Sequence, residues 1–291
     1  VEQVWRTTRR FLESPMTTPV SVNFHLWPRC NLRCTFCYAG FPATRQALPV
    51  DQARAVIGAL AAAGTEKITF VGGEPTLHPH LPELVRHAAD LGMVTCIVTN
   101  GAKLRQVLHK CGEAVHWVGL SVDSGIEEVQ ARLGRGTGDH IRQSIAHADA
   151  VRNLGIRLKL NSVITALNWQ EDLSTMVRRI GPERWKAFQV LRVEGENDGR
   201  VEPLLITGPQ FQAFADRHGH LQAEDLSPVA EDNDAMLGSY VMIDPQGRFF
   251  SNETGRYRIS QPILEVGVQT AMAQVGWRQD KFVARGGLYA W

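Results

Sequence analysis

Three cysteines fall within eight residues, Cys30, Cys34 and Cys37, spaced Cys-x3-Cys-x2-Cys on a segment that follows a β-rich run. Thiolates so spaced converge on one point and hold either zinc or an iron–sulfur cluster. A structural zinc site would want a fourth ligand nearby. The nearest candidates, His25 and His78, do not stand at a short knuckle spacing. Three cysteines with no local fourth leave one iron of a four-iron cluster open to an outside ligand. Cys96 lies in an apolar run and Cys111 at an expected helix end, and both read as buried packing thiols. Five cysteines, an odd count, argue against a disulfide framework and for a reducing compartment.

A second cluster of chemistry-bearing residues is Gly72-Gly73-Glu74-Pro75, one βα unit after the cysteines. The glycines permit close backbone approach and Glu74 supplies an acceptor. On its own this run is also a plain turn.

Elements must position these groups. Short β-rich runs at 20–27, 67–71, 94–99, 116–122, 156–163 and 185–192 alternate with helical patterns near 51–63, 80–91, 103–111, 139–154 and 168–179. That is the pattern of consecutive βα units around a parallel sheet. Six units over about 170 residues fit a partial (β/α)6 barrel better than a closed eightfold one; an open doubly wound sheet is the alternative. We divide the α/β chain into an N-terminal segment (1–16), a barrel (17–200) and a C-terminal extension (201–291) that closes one end of the barrel over the active site. In the extension we expect a helix near 208–218, a polar stretch and a hairpin across Asp244-Pro245-Gln246-Gly247.

Strand parity adds an independent argument. Alternate residues point to opposite faces. In the first strand Val22, Phe24 and Leu26 make an apolar face, and Ser21, Asn23 and His25 the other. Lys159 and Asn161 oppose Leu158 and Leu160; Arg184 and Lys186 oppose Trp185 and Ala187; Lys67 shares a parity with Thr69. A parallel barrel hides its outer face under helices, so the polar parity looks inward and four cations line the lumen. Buried charges need an anionic partner, and a triphosphate supplies one, with Lys and Arg as its natural contacts. No Asp or Glu stands at matching parity in these six strands; inner carboxylates from elsewhere, or snorkelling at strand ends, are the competing reading.

The 291 residues are 44% apolar and 21% charged, with 31 basic against 30 acidic side chains and a net charge of +1. This is a globular composition, without the whole-surface field a nucleic-acid polymer binder needs. No apolar run approaches the ~18 residues of a membrane span, and the first residues lack a signal-peptide core. A lost N-terminal extension stays open, because no Met begins the chain.

With one iron left open, the cysteine motif resembles that of the radical S-adenosylmethionine (SAM) superfamily. The Gly72-Gly73-Glu74 run looks like the element that meets the SAM amino group, and Asn100, Ser121, Asp123 and Arg135 fit its ribose and carboxylate contacts; each is otherwise a helix cap or loop hydrogen bond. A narrower resemblance, to the viperin-like family, is carried by SVNFHLWPRCNLRCTFC, EKITFVGGEP, IVTNGAKL, GRGTGDH, KLNSVI, ERWKAFQVLRVEGEN and the terminal RGGLYAW. It implies a [4Fe-4S] cluster on Cys30, Cys34 and Cys37, SAM as cofactor, and a nucleoside triphosphate (CTP first, UTP or GTP next) converted to its 3′-deoxy-3′,4′-didehydro analogue, a chain terminator in antiviral defence. It places Asn23, Lys67, Lys159, Asn161, Arg184 and Lys186 on nucleotide-binding positions and Tyr289 on an active-site tyrosine. It further implies a one-electron reductant of flavodoxin or ferredoxin type and iron–sulfur assembly partners. Animal members carry a membrane helix not seen here, so the expectation is a soluble cytoplasmic enzyme without a membrane partner; a monomer is expected as well. They also continue past the aromatic terminus, which puts the assembly partnership in doubt. The rivals are a radical SAM enzyme acting on another nucleotide or a peptide, and a non-catalytic iron–sulfur interaction protein.

Overall fold

The computed structural model describes residues 18–42, 44, 46–289 and 291. The N-terminal segment 1–16 lies outside them. Six parallel strands alternate with helices in chain order: β1 (Ser21–Trp27), α1 (Val50–Ala62), β2 (Lys67–Gly72), α2 (Leu81–Asp90), β3 (Val94–Thr99), α3 (Leu104–Cys111), β4 (Trp117–Ser121), α4 (Glu127–Arg132), α5 (His140–Asn153), β5 (Arg157–Ile164), α6 (Ser174–Ile180) and β6 (Arg184–Gln189). Two boundaries differ from the sequence expectation by more than one residue. The sixth strand stops at Gln189, and α6 starts six residues late. Asn168 there closes a buried turn instead, its Oδ1 accepting from the Thr165 amide at 2.6 Å and its Nδ2 donating to the Val163 carbonyl at 3.0 Å. A short amide side chain satisfying its own backbone competes with a helical turn.

The outward parity packs under the helices as expected. Val22, Phe24, Ile68, Phe70, Ile97, Val118, Leu158, Leu160 and Trp185 join Ile57, Leu60, Leu84, Val85, Val151 and Val177 in one apolar core. Burying such a side chain is worth roughly 1.5–3 kcal/mol, so the alternation alone fixes which strand face meets the helices.

The extension does more than cap. After α7 (Gly208–Arg217), β7 (Val229–Glu231) pairs parallel with β6, while β8 (Met242–Ile243) pairs parallel with β1. β9 (Arg248–Ser251) and β10 (Arg258–Pro262) follow as an antiparallel meander, giving the order β10-β9-β8-β1-β2-β3-β4-β5-β6-β7. The turn at Asp244-Pro245-Gln246-Gly247 joins β8 to β9 as expected, with the Gly247 amide donating to the Asp244 carbonyl at 3.0 Å. The extension thus lengthens both edges of the sheet. Its last helix, α8 (Gln279–Ala284), leads into the terminal segment carrying Tyr289.

Register aligns the inner face in rows. Asn23, Thr69, Cys96, Trp117 and Arg157 are cross-strand neighbours; so are Gly119, Lys159 and Arg184, and then Ser121, Asn161 and Lys186. Lys67, Trp117 and Arg184 each begin their strands, so they lie at the N-terminal end of the barrel, away from the loop that follows β1.

Candidate functional site

The cysteine loop leaves the C-terminal end of β1. Cys30, Cys34 and Cys37 are free and half-buried. Burial raises all three thiols above their ordinary range; Cys30 and Cys37 also feel the charge of Cys34, and Cys34 that of Arg135 and Asp123. The Leu32 amide donates to Cys30 Sγ at 3.3 Å. Among the described residues no three His, Cys, Asp or Glu side chains crowd close enough for a single metal ion. Three free cysteines on one short loop, with an amide donor to Cys30 Sγ, are a donor set whose chemistry fits the cluster.

Neighbouring rim loops press on this one. Gly73 passes so near Arg29 that a Cβ would stand 2.3 Å from the Arg29 carbonyl, and a Cβ on Gly72 would stand 2.6 Å from that of Trp27. Glycine is required at both by close approach. On the far side Arg33 and Thr35 donate from their amides to Gly134 and Leu133 at 3.3 and 3.1 Å.

Glu74 is buried and its carboxylate is fully engaged. Oε1 accepts from the Thr76 amide at 3.0 Å, Thr76 Oγ1 at 2.6 Å and Thr99 Oγ1 at 2.5 Å, and Oε2 from the Asn100 amide at 2.8 Å. The carboxylate that resemblance aims at an amino group thus joins the loops after β2 and β3. Asn100 Nδ2 reaches Asn31 Oδ1 at 3.0 Å and Cys30 Sγ at 3.7 Å, so it sits at the cysteine loop. Asp123 is wholly buried, ion-paired with Arg135 and accepting from the Val163 amide at 2.8 Å. It positions Arg135, which lies 5.4 Å over the Phe36 ring beside the cluster loop and is held above its ordinary range by Asp123 against the cost of burial. Ser121 is half-buried, and its carbonyl meets His140 Nε2 at 2.8 Å.

In the lumen the expected cations come together. Lys67 and Lys159 both donate to the Tyr289 hydroxyl, their ammonium groups 4.3 and 4.4 Å from its ring centroid. Arg184 lies 4.3 Å over the same ring and donates to the Gly286 carbonyl at 2.8 Å. Burial holds both lysines below their ordinary range; Lys67 feels the repulsion of Lys159, and Lys159 that of Arg184. Among the described residues none of the three has a carboxylate ion-pair partner, and Arg184 Nε is buried without one of any kind. Asn161 and Asn23 occupy the same inner face, half-buried.

Lys186 corrects the expectation of unpaired cations. It is ion-paired with Glu231 of β7, a buried carboxylate that also accepts from the Tyr240 hydroxyl at 2.5 Å and stands 3.6 Å from Arg285. An inner carboxylate is present, contributed by a strand outside the six. Sequence reasoning also missed two lumen neighbours. Trp117 packs edge-on to Tyr289 at 5.8 Å, and Cys96 faces Lys67 and Lys159 instead of the apolar core. Parity within β3 and β4 carries that signal.

Residues 25–176 match the sequence pattern of the Radical SAM superfamily. The chain is 42% identical over 281 residues to an S-adenosylmethionine-dependent nucleotide dehydratase of Flammeovirga pacifica, covering 93% of this chain and 96% of that one. The chain belongs to this radical SAM family of nucleotide dehydratases. It is 42% identical over 282 residues to the protein of the same name from Lacinutrix mariniflava, spanning 93% of this chain but only 58% of that relative. To the nucleotide dehydratase RSAD2 of Danio rerio it is 37% identical, over 96% and 80% of the two chains. In fold it is similar to Streptococcus suis SuiB bound to S-adenosylmethionine (TM-score 0.64, 15% identity, 85% of this chain and 63% of that). It is also similar to the coproporphyrinogen III oxidase HemN of Escherichia coli (TM-score 0.56, 15% identity, 97% and 77%). Both are consistent with a partial barrel of the radical SAM type. Members of this superfamily use a [4Fe-4S] cluster and SAM, the cofactors that the motifs imply.

Proposed function

We propose that this enzyme converts a ribonucleoside triphosphate, CTP first and UTP or GTP as alternatives, to its 3′-deoxy-3′,4′-didehydro analogue, a chain terminator for antiviral defence made in the cytoplasm. The observation that carries the reading is the polarity of the lumen. Lys67, Lys159 and Arg184 gather at the N-terminal end of the strands, without carboxylate partners among the described residues, while the cysteine loop stands at the opposite end. A triphosphate drawn to the cations leaves the ribose pointing toward the cysteine loop.

Cys30, Cys34 and Cys37 would hold the cluster, with the Gly72-Gly73 backbone, Ser121 and Arg135 around SAM, and when bound they supply a 5′-deoxyadenosyl radical for the ribose 4′ hydrogen. The chain's own residues do the rest by proximity and orientation. The cations neutralise the phosphates, Asn161 and Asn23 offer polar contacts on the same inner face, and the terminal segment excludes water below. Loss of the 3′-hydroxide with a proton as water, and two electrons from a flavodoxin- or ferredoxin-type donor, one to generate the 5′-deoxyadenosyl radical and one for the dehydrated ribose, complete the balance. The protein would act as a monomer, with cluster-assembly machinery as its other partner.

The test is anaerobic incubation of the reduced, reconstituted enzyme with SAM and each of the four ribonucleoside triphosphates, followed by mass spectrometry. The expected result is nucleotide-dependent 5′-deoxyadenosine and a product lighter than one of the nucleotides by one water. No nucleotide-dependent 5′-deoxyadenosine would sink the reading.

A further inference from the structure

Two consecutive residues of the loop after β6 grip the cysteine loop on either side of its third cysteine. Asn197 is fully buried. Its Nδ2 donates to the Phe36 carbonyl at 3.0 Å and to the Leu191 carbonyl at 2.9 Å, and its Oδ1 accepts from the Val193 amide at 2.8 Å. Every hydrogen-bonding atom of that side chain except one lone pair is used, so its orientation is fixed. Glu196, next to it, accepts from the Phe41 amide through Oε2 at 2.9 Å. Phe36 precedes Cys37 by one residue and Phe41 follows it by four.

The gripped segment would not hold this shape by itself. Phe41 has φ 47°, a left-handed conformation that a bulky side chain adopts only when its surroundings impose it. Its ring is anchored against His25 and Phe250 at 5.1 and 5.6 Å. A third tie comes from Tyr257, whose hydroxyl donates to the Tyr38 carbonyl at 2.5 Å. The Tyr257 segment is joined to the same strap, since the Glu194 amide donates to the Gly255 carbonyl at 2.9 Å. The strap therefore holds both flanks of Cys37 and Tyr38, while the contacts from Leu133 and Gly134 hold Arg33 and Thr35 near Cys34.

We infer that Glu196 and Asn197 are positioning residues for the third cluster ligand, fixing Cys37 and Tyr38 from outside the cysteine motif. The inference rests on the cluster assignment to Cys30, Cys34 and Cys37. It goes beyond it in making a strap from the sixth βα loop a condition of a rigid three-cysteine site.

The experiment is anaerobic reconstitution of wild type, Asn197→Ala, Glu196→Ala, Glu196→Gln and His218→Ala. Iron per chain, the rate of iron loss to a chelator, the electron paramagnetic resonance spectrum of the reduced protein with and without SAM, and the melting temperature are measured. His218 is the comparison: it is as buried as Asn197 and accepts from the Leu173 amide at 2.9 Å, but bonds to no residue of the cysteine loop. We expect Asn197→Ala and Glu196→Ala to lose iron roughly tenfold faster, the scale of one lost hydrogen bond, and to shift or broaden the resonance. Glu196→Gln keeps a carbonyl acceptor and restores both. His218→Ala melts earlier with an unchanged spectrum. If Glu196→Ala, half-buried and expected to fold, matches His218→Ala in spectrum and iron loss, the strap has no positioning role and the inference fails alone. If wild type takes up no iron, the cluster assignment falls and the inference with it.

Discussion

The Lys186 ammonium and the Glu231 carboxylate form a buried ion pair between β6 and β7, inside the barrel and at the edge of its six-stranded core. The Tyr240 hydroxyl completes it, accepting from Lys186 Nζ at 2.9 Å and donating to Glu231. Arg285 lies 3.6 Å over the Tyr240 ring. Because Tyr240 precedes β8, which pairs with β1, this polar group links the two ends of the open barrel where no backbone ladder does.

We expect the pair to make nucleotide binding pH-dependent. Burial, with Arg285 and Arg184 nearby, lowers Lys186 to about 7 against the pull of Glu231. A phosphate at Lys186 would raise that value, so binding above pH 7 takes up a proton and weakens as pH rises, by up to about tenfold per unit. The stability sign is opposite. Between about 7 and the unfolded lysine value the unfolded chain holds more protons, so this group makes the nucleotide-free protein more stable as pH rises. Titrating nucleotide affinity and melting temperature from pH 6.5 to 9 checks both, and Lys186→Arg should flatten the affinity profile. An unchanged slope in Lys186→Arg would remove Lys186 from the binding equilibrium.

Lys67 and Lys159 share the Tyr289 hydroxyl while repelling each other in a buried site. Replacing one by an apolar residue of similar length should separate function from stability. Lys67→Met is expected to raise the melting temperature of the nucleotide-free protein while raising the KM for nucleotide roughly 10- to 100-fold, the worth of one charge-assisted hydrogen bond. A variant that loses stability and keeps its KM would mark Lys67 as structural.

The cysteine loop, the Gly-Gly-Glu-Pro turn and the inward face of the strands were legible because each is encoded locally, by spacing or by period-two alternation. Glu231 was not. It sits in a three-residue strand within the polar stretch AEDLSPVAEDNDA, which has too few residues to show alternation. The Asp123–Arg135 pair and the Asn197 strap were equally hidden, since each joins loops far apart in sequence. What the sequence left out is therefore which polar groups satisfy one another.

Glu74 should matter through SAM affinity more than through nucleotide affinity. In Glu74→Gln an amide N–H faces groups that donate to the carboxylate from the loops after β2 and β3. Mismatched donors cost about 1–3 kcal/mol, and the loosened loops border the cysteines. We expect the KM for SAM to rise severalfold with the nucleotide KM within a factor of two. Equal changes in both would show that the whole barrel had been disturbed.

Gly134→Ala tests the cysteine loop without touching a ligand. At φ +86°, a Cβ there would stand 2.2 Å from the Arg33 carbonyl, which is backbone and has no flexible end to yield. The expected outcome is lower iron loading at a nearly unchanged far-ultraviolet spectrum, with Cys34→Ala marking complete loss of the cluster absorbance. Full iron loading in Gly134→Ala would mean the loop adapts, and that contact with residue 134 does not set its position.

Tyr289→Phe isolates a single oxygen. The substitution keeps the ring under Arg184 and beside both lysines, so the cation–π contacts survive. It removes only the acceptor shared by Lys67 and Lys159. If the hydroxyl were needed merely to separate the two ammonium groups, the nucleotide would replace it and turnover would be unaffected. If it serves the late electron or proton step, radical formation continues but fewer events end in product. We expect the latter: product formed per 5′-deoxyadenosine should fall severalfold, with the nucleotide KM unchanged or lower, since a competitor for the lysines is gone. A ratio equal to wild type would leave Tyr289 as a spacer between two like charges.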